Sequence, residues 1–386
     1  MCTCVVGVPK ERKFNEGRVG MTPALVSEVR ELGGAVLIET GAGVLSGFSD
    51  EQYENAGAII VKTPDEVWCA ADIVVKVKEP IREEYRHLSA MSGKTLFTYL
   101  HLAGSEIELT RALLRYEITA IAYETVSEAG NDGRMTFPLL LPMSKIAGTQ
   151  AMRTALSRHQ PEEFSKLIVM IIGAGNVGEA ALRCAIASDV GFVVLFEPWE
   201  PRALELKEKY GSDKVVIFPL SMLGNEQTKN YLKVADIFIS APMLPGGKEA
   251  PIVLTQKHFR LMKNGAYISD VSIDQGGSTA WTKDNSTKPG ETFTRGMRNL
   301  VFSAVPNIPG STVPEEATRS LCAATKGYLL GMVGHQLASH NGDYTVLRDN
   351  LSLRMGLQTW RGLLTNEYVM RKHGLISDYC PLDEIF

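Results

Sequence analysis

The sequence of 386 residues lacks several features that would indicate other classes of protein. No apolar run is long enough to span a bilayer, and the first residues lack the charged and apolar regions of a signal peptide. There is no basic excess, because 40 Lys and Arg stand against 44 Asp and Glu. Internal repeats and low-complexity linkers are absent too. We therefore predict a globular protein with neither a nucleic-acid nor a membrane partner.

Cysteines are few and scattered, six in all, and none forms a C-x-x-C pair. In a chain of this length that spacing predicts free thiols in a reducing compartment, and so a cytoplasmic location. Cys2 and Cys4 would need two further ligands to hold a metal ion, and the sequence offers none nearby. We predict no metal site.

The sequence does contain a glycine-rich turn of the kind that binds a dinucleotide, Gly173-Ala174-Gly175-Asn176-Val177-Gly178. It follows an apolar run over 167–172 and precedes a helical pattern over 179–185. The N–H groups at the start of such a helix bind a pyrophosphate. A second apolar run, 192–196, ends at Glu197, where the fingerprint places an acid for the ribose hydroxyls. Together these features favour dinucleotide binding over a glycine turn in an unrelated α/β protein.

Strand-like and helical patterns alternate along the chain before about residue 137, which predicts a parallel sheet. The strands are predicted at 5–8, 35–39, 59–61, 72–78, 95–99 and 119–123. The segment with the glycine turn holds further strands at 236–240 and 266–271. The tail is predicted to be mainly helical, over 315–333, 347–356 and 365–373, and to pack on the first domain.

These patterns predict an α/β fold of two Rossmann-like, doubly wound domains with parallel sheets. The central dinucleotide-binding domain, 138–309, would be inserted in a discontinuous substrate domain formed by 1–137 and 310–386. In such sheets ligands bind beyond the carboxyl ends of the strands. Polar residues at strand ends are therefore the first candidates for a functional site.

Candidate side chains of this kind lie in turns or at the ends of predicted strands: Arg18, Lys78, His101, Asp274 and Asn307. A guanidinium can bind a carboxylate through two hydrogen bonds, and a histidine carries protons near neutral pH. Lys78 would share a strand face with Lys76. Each candidate also has an ordinary interpretation, as a solvated or snorkelling charge, a structural histidine or a turn residue.

Taken together, the motifs resemble the family of alanine dehydrogenase and the soluble subunit of nicotinamide nucleotide transhydrogenase. The resemblance covers nearly the whole chain. The matching segments include Gly7-Val8-Pro9-Lys10-Glu11, Lys76-Val77-Lys78-Glu79-Pro80, Phe97-Thr98-Tyr99-Leu100-His101, Ala122-Tyr123-Glu124-Thr125-Val126, Pro142-Met143-Ser144, the glycine fingerprint, Pro245-Gly246, Ile273-Asp274-Gln275-Gly276-Gly277 and Asn307-Ile308-Pro309-Gly310.

The resemblance implies a reversible oxidative deamination of a small L-amino acid with NAD, L-alanine giving pyruvate and ammonium. It implies that Arg18, Lys78 and Asn307 bind the 2-amino or 2-oxo acid and that His101 and Asp274 are the acid/base pair. It implies that NAD is bound by Ser144, Gly173, Gly175, Asn176, Val177, Gly178 and Glu197. It also implies a homo-oligomer.

The chain departs from the family pattern in places that keep alternatives open. Residues 158–164 are short and polar where relatives carry a glycine-rich hairpin used in subunit contacts. Glu197 stands where Asp is common, although Glu also repels a 2′-phosphate and so favours NAD over NADP. Ile308 replaces a methionine. The alternatives are an amino-acid dehydrogenase of different substrate, a transhydrogenase-like NAD(H)-binding subunit and an inactive NAD-binding relative.

Overall fold

The computed structural model describes residues 4–130, 135–243, 249–283, 285–338 and 345–386. Cys2 and Pro245-Gly246 lie outside these residues. The chain forms two compact units, the first made of residues 1–142 and 313–386 and the second of residues 143–312. In the part of the chain that is described, no helix combines the length and the apolar character needed to cross a membrane.

The strands of the described residues are short and mostly buried. They are β1 (Val5–Val8), β2 (Ala35–Glu39), β3 (Ile59–Val61), β4 (Ile73–Val75), β5 (Thr95–Thr98), β6 (Thr119–Ala122), β7 (Glu128–Ala129), β8 (Met135–Thr136), β9 (Ile168–Ile172), β10 (Phe192–Glu197), β11 (Val215–Pro219), β12 (Ile237–Ser240), β13 (Tyr267–Asp270), β14 (Phe293–Arg295), β15 (Leu300–Ser303), β16 (Leu357–Trp360) and β17 (Leu363–Leu364).

Helices connect most of these strands. The α-helices are α1 (Pro23–Glu31), α2 (Asp50–Asn55), α3 (Pro64–Ala70), α4 (Ile107–Arg115), α5 (Leu141–Leu156), α6 (Asn176–Ala187), α7 (Glu200–Tyr210), α8 (Lys229–Val234), α9 (Gln256–Leu261), α10 (Ile308–Thr312), α11 (Pro314–Ala338), α12 (Thr345–Asp349), α13 (Leu351–Gly356), α14 (Glu367–His373) and α15 (Leu382–Ile385). Shorter 3-10 segments lie at Val44–Ser46, Arg82–Met91, Pro161–Lys166, Leu220–Met222, Val271–Gln275 and Ile376–Asp378.

The first unit is built on an eight-stranded sheet in the order β17-β16-β6-β5-β4-β1-β2-β3. The strands from β6 to β3 are parallel, as expected for strands joined by crossover helices. β5 pairs with β6 so that Thr98 lies opposite Ala122. This register brings the residues that follow the two strands side by side at the carboxyl end of the sheet.

The tail contains two strands between the helices predicted over 347–356 and 365–373. Residues 357–364 form β16 and β17, which are antiparallel to each other, and β16 is antiparallel to β6. The two strands meet at Arg361 and Gly362, whose φ angles of 46° and 83° are those of a tight hairpin turn. The helix predicted over 347–356 is also interrupted at Asn350, which caps α13 by accepting from the N–H of Leu353.

The second unit holds a seven-stranded sheet in the order β11-β10-β9-β12-β13-β15-β14, parallel except for β14 at its edge. Side chains of β9 alternate between two hydrophobic cores, one with Val169 and Ile171 and the other with Met170 and Ile172. Helices therefore cover both faces. The predicted α/β fold with two Rossmann-like, largely parallel domains is confirmed.

Candidate active site

Arg18 is held by a buried carboxylate two residues before it. The guanidinium donates from Nε to Glu16 Oε1 at 2.8 Å and from Nη2 to Glu16 Oε2 at 2.6 Å. Burial by itself would lower the pKa of Arg18, but the Glu16 carboxylate outweighs burial and raises it. Arg18 is 3% exposed. It is a fixed, buried cation, not the solvated loop charge of the ordinary interpretation.

Lys76 lies in a buried acidic cluster that the sequence analysis did not predict. Its Nζ is 2.8 Å from Glu84 Oε1 and 3.3 Å from Glu11 Oε2. Glu11 Oε1 also accepts from the N–H of Val77 at 2.6 Å. Burial raises the pKa of Glu11 to about 7, against the opposing charge of Lys76. The cluster holds the backbone just before Lys78.

Lys78 does not share a strand face with Lys76, because β4 ends at Val75. Its carbonyl accepts from Thr98 Oγ1 at 3.0 Å, which ties it to the end of β5. Burial by itself would raise the pKa of Glu16, but Arg18 and, after it, the charge of Lys78 outweigh burial and lower that pKa to about 2. Lys78 therefore lies within electrostatic range of the Arg18–Glu16 pair.

His101 follows β5 in a strained backbone conformation. Its φ of +45° is in the left-handed region, which a residue with a β-carbon seldom adopts. Its carbonyl accepts from the N–H groups of Gly104 and Ser105 at 2.7 and 3.0 Å. Its ring stacks on that of Tyr99, with centroids 5.7 Å apart. The strain and the contacts indicate a residue that the fold holds in one place.

The surroundings of His101 favour the neutral imidazole. Removal from bulk water is the first cause that lowers its pKa, followed by the charges of Lys78, Lys13 and Arg18. The side chain nevertheless keeps 42% of its exposure, so solvent still reaches the ring. We therefore give more weight to the three cations than to burial as the cause of the lowered pKa. His101, Arg18 and Lys78 thus lie within electrostatic range of one another, beyond the carboxyl ends of β5, β1 and β4.

The glycine turn has the geometry that the fingerprint requires. Gly173 has φ +89°, and a β-carbon on Gly178 would lie 1.8 Å from the Gly173 carbonyl oxygen. A β-carbon on Gly175 would meet nothing within 4 Å, so there is open space over the turn. Asn176 begins α6, and Val177 follows in its first turn. These residues fit a pyrophosphate at the start of the helix.

Glu197 ends β10 beside that turn. Its carboxylate accepts from the N–H of Ala174 at 2.8 Å and from the N–H of Trp199 at 3.0 Å. Each oxygen retains a second lone pair, so the carboxylate can also accept from ribose hydroxyls. Ala174 is further bound through its carbonyl, which accepts from Arg202 Nε at 3.2 Å. The sequence analysis had not singled out Arg202.

Ser144 is half-buried in α5, one turn before Gly148. A β-carbon on Gly148 would lie 2.0 Å from the carbonyl oxygen of Val177, so α5 approaches the glycine turn very closely there. Residues four apart share a helix face. Ser144 therefore lies on the face of α5 that adjoins the start of α6.

Asp274 lies exposed in the 3-10 turn after β13, and its Oδ2 accepts from the N–H of Asn307 at 2.9 Å. Asn307 also adopts a left-handed backbone, with φ +53°. The turn is held by Asp270, which is 1% exposed and accepts from the N–H of Ser272 at 3.0 Å and of Ser278 at 2.6 Å. The structure thus joins Asp274 to Asn307 in the second unit.

A glycine turn opening a helix, with an acid at the end of the next strand, defines a dinucleotide-binding α/β protein. Two family models match the chain, the alanine dehydrogenase/PNT N-terminal domain over residues 7–147 and the alanine dehydrogenase/PNT C-terminal domain over residues 150–367. The chain belongs to the alanine dehydrogenase/PNT family.

Known relatives match this chain over nearly its whole length. The alanine dehydrogenase of Bacillus subtilis is 38% identical over 98% of this chain and 97% of its own length. That of Staphylococcus saprophyticus is 38% identical over 95% of each. A solved L-alanine dehydrogenase, 32% identical, superposes with a TM-score of 0.81 over 96% of this chain and 99% of its own. A transhydrogenase from Sinorhizobium meliloti, 20% identical with a TM-score of 0.74, shares the fold.

Proposed function

We propose that this protein is an amino-acid dehydrogenase that converts L-alanine, NAD and water to pyruvate, ammonium and NADH, reversibly. One observation carries the proposal: two cations that can bind a carboxylate, Arg18 and Lys78, act electrostatically on a neutral, solvent-accessible His101 beyond the carboxyl ends of the strands. The family and its alanine dehydrogenase members support the same activity.

Arg18 and Lys78 would bind the carboxylate and the 2-oxo group of the substrate, with Asn307 assisting. The Arg18 guanidinium donates from Nε and Nη2 to Glu16, and these hydrogen bonds orient the guanidinium before any substrate binds. Preorganised cations reduce the entropy lost on binding and direct the reacting carbon. Two positive charges also compensate the substrate carboxylate where water is scarce.

His101 and Asp274 would divide the proton and charge chemistry. Bound NAD would supply the hydride acceptor, and loss of hydride from the amino carbon would leave a cationic imine on the substrate. The Asp274 carboxylate would stabilise that charge and orient the attacking water. His101, neutral at pH 7, would take the proton from this water and return it as ammonium leaves.

The residues that would hold NAD are those of the glycine turn. Gly173, Gly175 and Gly178 allow the close backbone approach, and the N–H groups of Asn176 and Val177 would face the pyrophosphate. Glu197 would accept from the ribose hydroxyls and repel a 2′-phosphate, which favours NAD over NADP. Ser144 would complete the site from α5.

The test is a panel of L-amino acids with NAD, and of 2-oxo acids with ammonium and NADH, followed by NADH absorbance. We expect turnover with L-alanine and with pyruvate, and weaker turnover with NADP. Turnover with another amino acid alone would identify a dehydrogenase of different substrate. Failure of the whole panel, in both directions, would disprove the dehydrogenase assignment.

We also propose a homo-oligomer and a cytoplasmic location. The oligomer follows from the family resemblance, and light scattering of the purified protein measures it. The location follows from scattered cysteines, and Cys4, Cys69, Cys184, Cys322 and Cys380 are free thiols. Fractionation of cells tests it.

A further inference from the structure

Glu124 lies directly beside His101, and the activity proposed above gives it no role. It follows β6 by two residues, and the pairing of Thr98 with Ala122 sets it opposite the turn after β5. Its Oε1 accepts from the N–H of His101 at 2.6 Å, and both oxygens lie 3.2 Å from the N–H of Leu100. One carboxylate thus binds two consecutive backbone donors.

These hydrogen bonds explain how the strained backbone at His101 persists. A left-handed conformation costs a residue with a β-carbon about 1–2 kcal/mol. Charge-assisted hydrogen bonds to a carboxylate are each stronger than neutral ones and offset such a cost. Glu124 therefore fixes the direction in which the His101 side chain leaves the backbone.

The same carboxylate faces one nitrogen of the imidazole. His101 Nδ1 lies 3.6 Å from Glu124 Oε1. The other restraint is the Tyr99 ring, which stacks on the imidazole at an interplanar angle of 8° and whose hydroxyl donates to the Leu139 carbonyl at 2.6 Å. Tyr99 covers one face of the ring, and the Glu124 carboxylate lies on its Nδ1 side at ion-pair distance, so Nε2 is the nitrogen that the ring offers to a reactant.

We propose that Glu124 is the positioning residue of His101: its carboxylate keeps the imidazole proton on Nδ1 and so leaves the Nε2 lone pair to accept a proton. The kinetic part of this inference rests on the proposed dehydrogenase activity, whereas the structural part does not. A carboxylate that sets the tautomer of a histidine base is a general device of acid/base sites.

Charge gives Glu124 a second effect on His101. The cations Lys78, Lys13 and Arg18 oppose formation of the imidazolium. The charge of Glu79 raises the pKa of Glu124, and the Glu124 carboxylate itself lies beside the His101 ring. When His101 takes a proton from water, Glu124 stabilises the charge that forms. Removing the carboxylate should therefore slow proton transfer more than it weakens binding.

Nuclear magnetic resonance of the ¹³C- and ¹⁵N-labelled protein measures the tautomer directly. The His101→Ala variant assigns the signals. In the wild type we expect the Nδ1–H tautomer. Glu124→Gln keeps an oxygen for the backbone donors but removes the charge, and it should reduce the ratio of Nδ1–H to Nε2–H about fivefold or more. Glu124→Asp, which keeps the charge, should retain the wild-type preference. The control Glu106→Gln removes an exposed acid paired with Arg82 and should change nothing.

Kinetics supply a second readout. Glu124→Gln should lower kcat about 10–100-fold with KM for L-alanine changed less than about threefold. Added to His101→Ala, it should cost less than about twofold more, because it acts through the ring. An unchanged tautomer in Glu124→Gln, or an equal loss of kcat with and without His101, would overturn the inference. A wild-type enzyme inactive on the whole panel would refute the proposed activity while leaving the tautomer measurement intact.

Discussion

The turns that contain His101 and Asp274 are each held by another carboxylate, Glu124 or Asp270, and these two carboxylates differ in how deeply they are buried. Glu124 keeps 17% of its side-chain exposure and lies beside the imidazole that it supports. Asp270 is 1% exposed and is bound to the N–H groups of Ser272 and Ser278 and to hydroxyls of Ser278 and Thr282. None of those donors belongs to Asp274 itself.

This difference separates two ways of supporting a reactive side chain. Asp270 shapes the turn through neutral donors, so its contribution is to the stability of the loop. Glu124 shapes its turn and also places charge next to the ring, so it affects both structure and proton affinity. Substitutions in the two turns should therefore separate effects on folding from effects on turnover.

The largest effect is expected when the presented side chains themselves are removed. His101→Ala and Asp274→Asn should each lower kcat about 10²–10⁴-fold, because in the proposed mechanism one is the proton acceptor and the other stabilises the imine. The amide introduced by Asp274→Asn retains an oxygen for the N–H of Asn307. Steady-state NADH formation measures the loss, and NADH binding by fluorescence should remain. A variant that kept most of its turnover would remove that residue from the acid/base pair.

The next effect is on stability and concerns Asp270. Asp270→Asn should lower the free energy of unfolding by about 2–4 kcal/mol, because an NH2 group then faces buried donors from Ser278 or Thr282. Denaturant unfolding measures it. The matched control Asp189→Asn breaks an exposed ion pair with Lys214 and should cost less than about 1 kcal/mol. Equal losses would show that Asp270 is not a structural centre of its turn.

A smaller effect is expected in the pH dependence of stability. Burial raises the pKa of Glu124 to about 7, so between about pH 4.5 and 7 the folded state binds more protons than the unfolded state. The contribution of Glu124 is therefore fully present at low pH and is lost as the pH rises through this window, by about 1–3 kcal/mol. Glu124→Gln should reduce the slope between unfolding curves taken at pH 5 and 8 and leave the part that comes from Glu11, whose pKa burial also raises to about 7. A slope identical to the wild type would contradict the shift.

The smallest effect concerns a charge outside the candidate residues. After desolvation and Lys78, Lys13 lowers the pKa of His101. Lys13→Met should therefore raise that pKa and move the acidic limb of the kcat/KM profile upward by about a few tenths of a pH unit, less at high salt. The exposed Lys214→Met is the control. A shift to lower pH would contradict the assigned sign.

Much of the fold could be predicted because its signals are local. The alternation of strands and helices predicted the parallel sheets, and caps such as Thr22, whose Oγ1 accepts from the N–H of Leu25 at the start of α1, are likewise local. No strand was predicted between the tail helices over 347–356 and 365–373, where β16 and β17 form a hairpin. The hairpin pairs with β6, which lies more than 230 residues earlier in the chain. The sequence of the tail alone does not indicate that pairing.

The candidate site was predicted in part for the same reason. His101 and Lys78 could be selected because they follow apolar strands. Glu16, Lys76, Glu124 and Asp270 were missed, because what distinguishes them is burial and a distant partner. Glu124 had one usable signal, its position immediately after the strand predicted over 119–123, at the carboxyl end where ligands bind.

The sequence by itself determined the glycine turn, because steric limits there act between near neighbours: Gly178 must approach the Gly173 carbonyl, and a β-carbon would lie 1.8 Å from that oxygen. Only the tertiary structure decided that Glu124 would bind the backbone of His101. That contact joins residues 23 positions apart and depends on the register of β5 against β6. Steric limits in a turn depend on residues close in sequence, whereas a contact between distant residues depends on how the strands align.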